Sequence, residues 1–138
     1  MDKRLTGSLR TLERNIRSLP RIRLFVNGWR VSVPKRGGIY VIWTLRTGKA
    51  IYVGETCNLN SRLGDLGRIA NHTFRRKASK IHRTHQKKAL DKVMFENYLL
   101  SFKTVPFGRK EVEEYLILKW KPQHNKPQRR LLESEQYK

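Results

Sequence analysis

Residues 38–54 read GIYVIWTLRTGKAIYVG, and the way the two halves of this stretch pair decides the fold. Gly38 to Leu45 and Ala50 to Gly54 are rich in β-branched and aromatic residues, which suits strands. Arg46-Thr47-Gly48 lies between them as a hairpin loop. Strand side chains alternate faces. A two-residue loop, Thr47-Gly48, would put Tyr40 and Tyr52 on opposite faces. A three-residue loop with Gly48 left-handed sets Tyr40 opposite Gly54 and Ile42 opposite Tyr52. Both phenols then share a face as diagonal neighbours, and Gly54 leaves open space beside Tyr40.

Upstream, Leu9, Leu12, Ile16 and Leu19 recur at helical spacing with arginines between them, which predicts an amphipathic helix over 8–19, stopped before Pro20. Asn27-Gly28, between Leu24-Phe25-Val26 and Trp29-Arg30-Val31, predicts a further hairpin over 21–33. Pro34 to Gly37 breaks that pattern. Downstream, Leu59, Leu63 and Leu66 predict a helix over 58–66. Tyr98 to Val105 reads as a strand, Pro106-Phe107-Gly108 as a turn, and Arg109 to Lys121 as a helix ended by Pro122. Between them, residues 71–88 carry dense Lys and Arg, and no acid occurs from Asp65 to Asp91; a loop or exposed helix is expected.

The helix over 109–121 holds an anomaly. At about 100° per residue, Val112, Leu116, Ile117 and Trp120 form one apolar arc. Glu113 falls inside that arc. A carboxylate there must be paired, protonated or metal-bound, because a lone buried charge is very costly. Arg62, next to Leu63, flanks the core side of its own helix in the same way.

The chain of 138 residues fits one folded domain. Its 31 Lys and Arg against 11 acids give a formal charge of +20, which points to a polyanion, above all nucleic acid. Cys57 is the single cysteine, so no internal disulfide forms, as suits a reducing cytoplasm. No apolar run reaches the ~18 residues of a membrane span, and no signal-peptide pattern follows Met1.

Gly38-Ile39-Tyr40, Tyr52-Val53-Gly54, Arg62 ten residues after Tyr52, Glu113 in Glu-x-x-Leu-Ile, and Pro122 with Asn125 stand in order. Together they resemble the GIY-YIG endonuclease superfamily, over residues 38–127. The resemblance implies an α+β fold, with a central antiparallel three-stranded sheet flanked by helices. To this the local reading adds an N-terminal helix and β-hairpin extension. The expected division is 1–36 for the extension, 37–127 for the nuclease domain and 128–138 for a polar tail.

The resemblance further implies metal-dependent hydrolysis of DNA phosphodiester bonds. Tyr40, Tyr52, Arg62 and Glu113 would be the catalytic set. Glu113 would hold one Mg2+ or Mn2+, with Gly54, Asn125 and His72 in support. Two departures bear on the base: Glu55 stands where repair-type members have Lys, and Leu66 where homing and restriction members have His. His72 or Arg68 would substitute. Arg68, Arg75, Arg76, Lys77, Lys80, Arg83, Lys87 and Lys88 are the expected contacts to phosphates of duplex, branched or damaged DNA. A protein partner or homodimer would supply specificity, with a nucleoid-associated location in the cytoplasm and no membrane contact. The rivals are a catalytically silent DNA- or RNA-binding module of the same fold, an RNA-structural protein suggested by charge alone, and a zinc site on Cys57, His82 and His85.

Overall fold

The computed structural model describes residues 3–68 and 72–125. Strands β2 (Gly38–Thr44) and β3 (Ala50–Thr56) pair antiparallel in the expected register, Tyr40 opposite Gly54 and Ile42 opposite Tyr52. The route to that register differs. The Thr44 N–H donates to the Lys49 carbonyl at 2.9 Å, so the turn holds residues 45–48, with Gly48 left-handed at φ 68°. The register then shifts between Ile42 and Trp43, and Trp43 faces Ala50. The extra turn residue and the bulge at Ile51 cancel, which restores the tyrosines to one face.

On the other side of β2 runs β4 (Tyr98–Thr104), and the two-residue β1 (Ile22–Arg23) adds beyond it. The sheet is antiparallel, in the order β1-β4-β2-β3. Its last three strands are the expected sheet; β1 makes a fourth. Helices cover both faces. On one, Tyr40, Ile42, Tyr52 and Leu100 pack with side chains from α2 (Leu59–Asp65), α3 (Thr73–Ile81) and α4 (Lys87–Asn97). On the other, Ile39, Val41, Trp43 and Val53 pack with Leu9 and Ile16 of α1 (Lys3–Ser18) and Val112, Leu116 and Ile117 of α5 (Arg109–Trp120). A strand covered on both sides needs apolar residues at every position, which is why β2 reads as an unbroken apolar run. No helix among the described residues is long and apolar enough to cross a membrane.

Two expectations fail here. Asn27-Gly28 does make a turn, closed by the Trp29 N–H on the Val26 carbonyl at 2.9 Å. No hairpin flanks it: turns follow one another to Val33, and Ile22–Arg23 pair with β4 instead. Leu24 and Val33 enter the core with Phe25 and Trp29 against it, while Val31 stays 87% exposed. That burial does not alternate by two, so no strand face exists to pair. The basic stretch is likewise not uniformly exposed. Residues Phe74, Arg75, Ala78 and Ser79 of α3 are buried, and Arg75 is only 1% exposed. Its guanidinium donates to the Leu66 carbonyl at 3.1 Å and to Asp91 at 2.6 Å. Arg75 is therefore a structural cation, not a phosphate contact. Helix α4 has no counterpart among the sequence expectations; Leu90 and Met94, four apart, are its buried face. The polar tail expected over 128–138 lies outside the described residues.

Candidate active site

Tyr40 and Tyr52 lie side by side, ring centroids 6.2 Å apart. Tyr40 uses the space that Gly54 leaves: a Cβ on Gly54 would stand 2.2 Å from the Tyr40 Cζ. His72 comes in at the N-cap of α3. Its Nδ1 accepts the Phe74 backbone N–H at 3.1 Å, and its Nε2 lies 2.9 Å from the Tyr40 oxygen. A nitrogen that accepts a backbone N–H carries no proton. Neutral His72 therefore carries its proton on Nε2 and donates it to Tyr40. Burial, then Arg62 and Arg76, pushes His72 down to about 3, so it stays neutral. With its lone pair occupied, His72 cannot take a proton from water; it is a fixed donor.

Tyr52 lies beside Tyr40, and Thr73 shares the cavity wall with Tyr52. Helix α2 is capped by Asn58, which accepts the Ser61 N–H at 3.1 Å; Leu59 and Leu63 are buried. This places Arg62 beside Tyr40, to which it is hydrogen-bonded, with Asp65 at 3.6 Å. Burial raises both phenols above the ordinary tyrosine range, and Arg62 opposes that rise. Burial also works against the charge of Arg62, but the two tyrosine oxygens and Asp65 outweigh it and hold the guanidinium above its usual value.

Glu113 belongs to the other layer yet reaches the same place, because β3 is the sheet edge and α5 packs along it. A cavity of about 380 Å3 at this edge is lined by Tyr52, Glu113 and Asn125 together with Thr73, Arg76, Lys77 and His124. Burial raises the Glu113 carboxyl above the usual range; the charge of Glu55 adds to this, against a hydrogen bond from the Glu55 backbone N–H. Asn125 closes the strand edge. It accepts the Val53 N–H at 2.7 Å and donates to the Val53 carbonyl at 2.8 Å. The neighbouring His124 N–H takes the Ile51 carbonyl at the bulge, and the Lys77 ammonium donates to the His124 carbonyl.

Of the sequence-selected residues, Tyr40, Tyr52, Arg62 and His72 thus form one cluster, with Gly54 leaving room for the Tyr40 ring, and Tyr52, Glu113 and Asn125 line one cavity. Tyr40, 1% exposed, stands behind Tyr52 rather than on the cavity wall. Among the basic residues, Arg76 and Lys77 reach the cavity. Arg68, Lys80, Arg83, Lys87 and Lys88 are exposed away from it, and Lys87 pairs with Asp91 at 2.7 Å. Thr73 and His124 were not foreseen; only their neighbours His72 and Asn125 carried a signal. Of the residues suggested for zinc, His82 is bonded to the Tyr98 hydroxyl at 2.7 Å and His85 to Ser79 at 3.0 Å.

The cavity's donor set suits a hard cation. One carboxylate and a phenol offer oxygen ligands, and Mg2+ commonly binds through one or two carboxylates and keeps several waters. Burial, with Glu55 nearby, disfavours the bare charge of Glu113, and a bound cation would offset that cost. Among the described residues no group of three or more His, Cys, Asp and Glu gathers around an ion-sized space.

No protein-family model matches the sequence, and no curated protein matches it. Among solved structures the chain is similar to the GIY-YIG N-terminal endonuclease domain of UvrC from Thermotoga maritima. The magnesium-bound form is 19% identical with a TM-score of 0.46, over 76% of this chain and 100% of that one. A point mutant bound to its catalytic divalent cation is 19% identical with a TM-score of 0.48, over the same shares.

Proposed function

We propose that this chain is a GIY-YIG-type endonuclease that hydrolyses DNA phosphodiester bonds in the cytoplasm, with Mg2+ or Mn2+ held by Glu113. The observation that carries the reading is the shared cavity: a desolvated carboxylate, a phenol packed against the Tyr40–His72 pair, and two cations, at one sheet edge. When bound, the cation supplies Lewis-acid stabilisation of the phosphoryl and leaving oxygens. Arg76 and Lys77 neutralise the incoming phosphate. Tyr52 holds the water or takes its proton. Tyr40, Thr73 and Arg62 surround the Tyr52 hydroxyl, and their donor groups would stabilise a phenolate there. Tyr40 and His72 position Tyr52 rather than touch substrate.

Plasmid nicking with Mg2+ and with EDTA tests the reading. Glu113→Gln keeps shape and removes charge. It is expected to cut at least ~100-fold more slowly while binding DNA within about twofold of the parent, the scale of losing one electrostatic stabiliser. Undiminished cutting by that variant ends the metal assignment. The burial of Tyr40 favours a second reading, a silent DNA- or RNA-binding module; absence of nicking under every divalent cation, with binding intact, would select it.

A further inference from the structure

A second concavity, of about 510 Å3, lies along the same sheet edge. Its walls come from the C-terminal turn of α1, the β2–β3 turn and the end of α5. Four cations face it, Arg17, Lys49, Lys119 and Lys121, and among the described residues no carboxylate lines it. Arg17 stacks its guanidinium on the Trp120 ring at 4.6 Å, with Nε 3.8 Å from Glu13. Glu13 is itself occupied, accepting from the Trp120 Nε1 at 2.6 Å and the Tyr115 hydroxyl at 3.1 Å. Beside it, Arg21 stacks on Trp43 at 3.7 Å and donates to the Gly48 carbonyl at 3.4 Å. The carbonyl end of α5 opposes an anion here, but a terminus carries only about half a charge, against three lysines besides Arg17, which Glu13 partly offsets.

The cleft continues the active-site cavity. On β3, Ala50 and Ile51 line the cleft while Tyr52 and Val53 line the cavity; on α5, Lys119 and Trp120 line one and Glu113 and Ile117 the other. Lys119 stands ~9 Å along the helix axis from Glu113, at 1.5 Å per residue. One DNA strand places a phosphate every ~3.4 Å of axis, so the cleft stands about two to three phosphates from the cavity.

We infer that this cleft binds backbone phosphates of the DNA strand that enters the active site, two to three nucleotides from the scissile bond. The inference rests on the nuclease reading for its substrate, but its test is binding alone. Duplex DNA is titrated by fluorescence anisotropy without divalent cation, at several salt concentrations. The variant combines Lys49→Gln, Lys119→Gln and Lys121→Gln, all exposed side chains; the Lys49→Gln, Lys119→Gln pair serves if the triple melts early. The expected result is at least ~tenfold weaker binding and a salt slope shallower by about 0.9 for each phosphate no longer neutralised. A control pair, Lys35→Gln with Lys92→Gln, is expected to stay within twofold. Parental affinity and slope in the cleft variant, or an equal loss in the control, overturns the inference. So does a cleft that governs binding to anionic phospholipid vesicles and not to duplex. A parent that binds duplex through the cleft yet never nicks it removes the nuclease reading and leaves the cleft standing.

Discussion

Gly54 shows how tightly a single position constrains the site. Any side chain there meets the Tyr40 ring at 2.2 Å, and that ring is held by the His72 bond on one side and Tyr52 on the other. Gly54→Ala must swing Tyr40 away. The expected outcome is a loss of about 1–3 kcal/mol, the usual cost of overpacking, together with loss of nicking. Urea melts check the first and the plasmid assay the second; an unshifted midpoint would show that the ring yields freely. His72 makes a separate prediction. Its folded value, about 3, lies below the ~6.5 of an unfolded histidine. Between those values the unfolded chain binds a proton that the folded chain refuses. Stability contributed by neutral His72 is thus complete above ~6.5 and falls as pH drops, at up to about 1.4 kcal/mol per pH unit. Urea midpoints for His72→Gln should fall less steeply below pH 6 than those of the parent; parallel curves would place the titration elsewhere.

At the level of elements, β3 is an edge strand whose outer backbone groups have no strand partner, and the segment after α5 seals them. Lys121, left-handed at φ 45°, ends α5, and Pro122 cannot continue it. The chain then turns back so that His124 and Asn125 satisfy the outward backbone groups of Ile51 and Val53. Asn125→Ala leaves both groups of Val53 without their side-chain partner. The expected cost is about 1–3 kcal/mol, with faster amide exchange at Val53 than at Val41 on the paired strand. Equal exchange at the two amides would show that Asn125 closes nothing. The Pro122 and Asn125 spacing was legible in the sequence; the partner of Asn125 was not, because an edge strand is defined only once the strand order is known. Likewise α2 and α5 announced themselves by leucine and valine spacing. Helix α4 went unread because its buried face amounts to two residues within a basic, polar stretch.

Across the whole molecule, a charge of +20 coexists with a closed core because nearly all of the described Lys and Arg side chains keep contact with solvent. Among the described residues Arg75 is the exception. It crosses α3 to meet Asp91, the first acid after Asp65, so that carboxylate ties α4 to α3. Helix α1 is joined to the rest by Leu9 and Ile16 in the core and by Glu13 on α5, so the N-terminal extension shares the core of the sheet. Its arginines thereby reach the edge where β3 and α5 meet, which sequence distance alone would never suggest.

Local pattern settled what depends on neighbours in the chain. The place of Glu113 follows from the 100° step of a helix, and the tyrosines share a face as the three-residue loop predicts, although a four-residue turn and a compensating bulge bring them there. Those features need only a few residues to be read. Burial and partnership had to wait for the fold, since they depend on which distant surfaces meet. Arg75 looks like any other exposed arginine until Asp91 and Leu66 close around it. Tyr40 looks equivalent to Tyr52 until the edge position of β3 brings one to the cavity and leaves the other behind it. The Asn-Gly turn at 27–28 formed as its dihedral preference dictates, but strands on either side required hydrogen-bonding partners, and β4 had already taken residues 22–23.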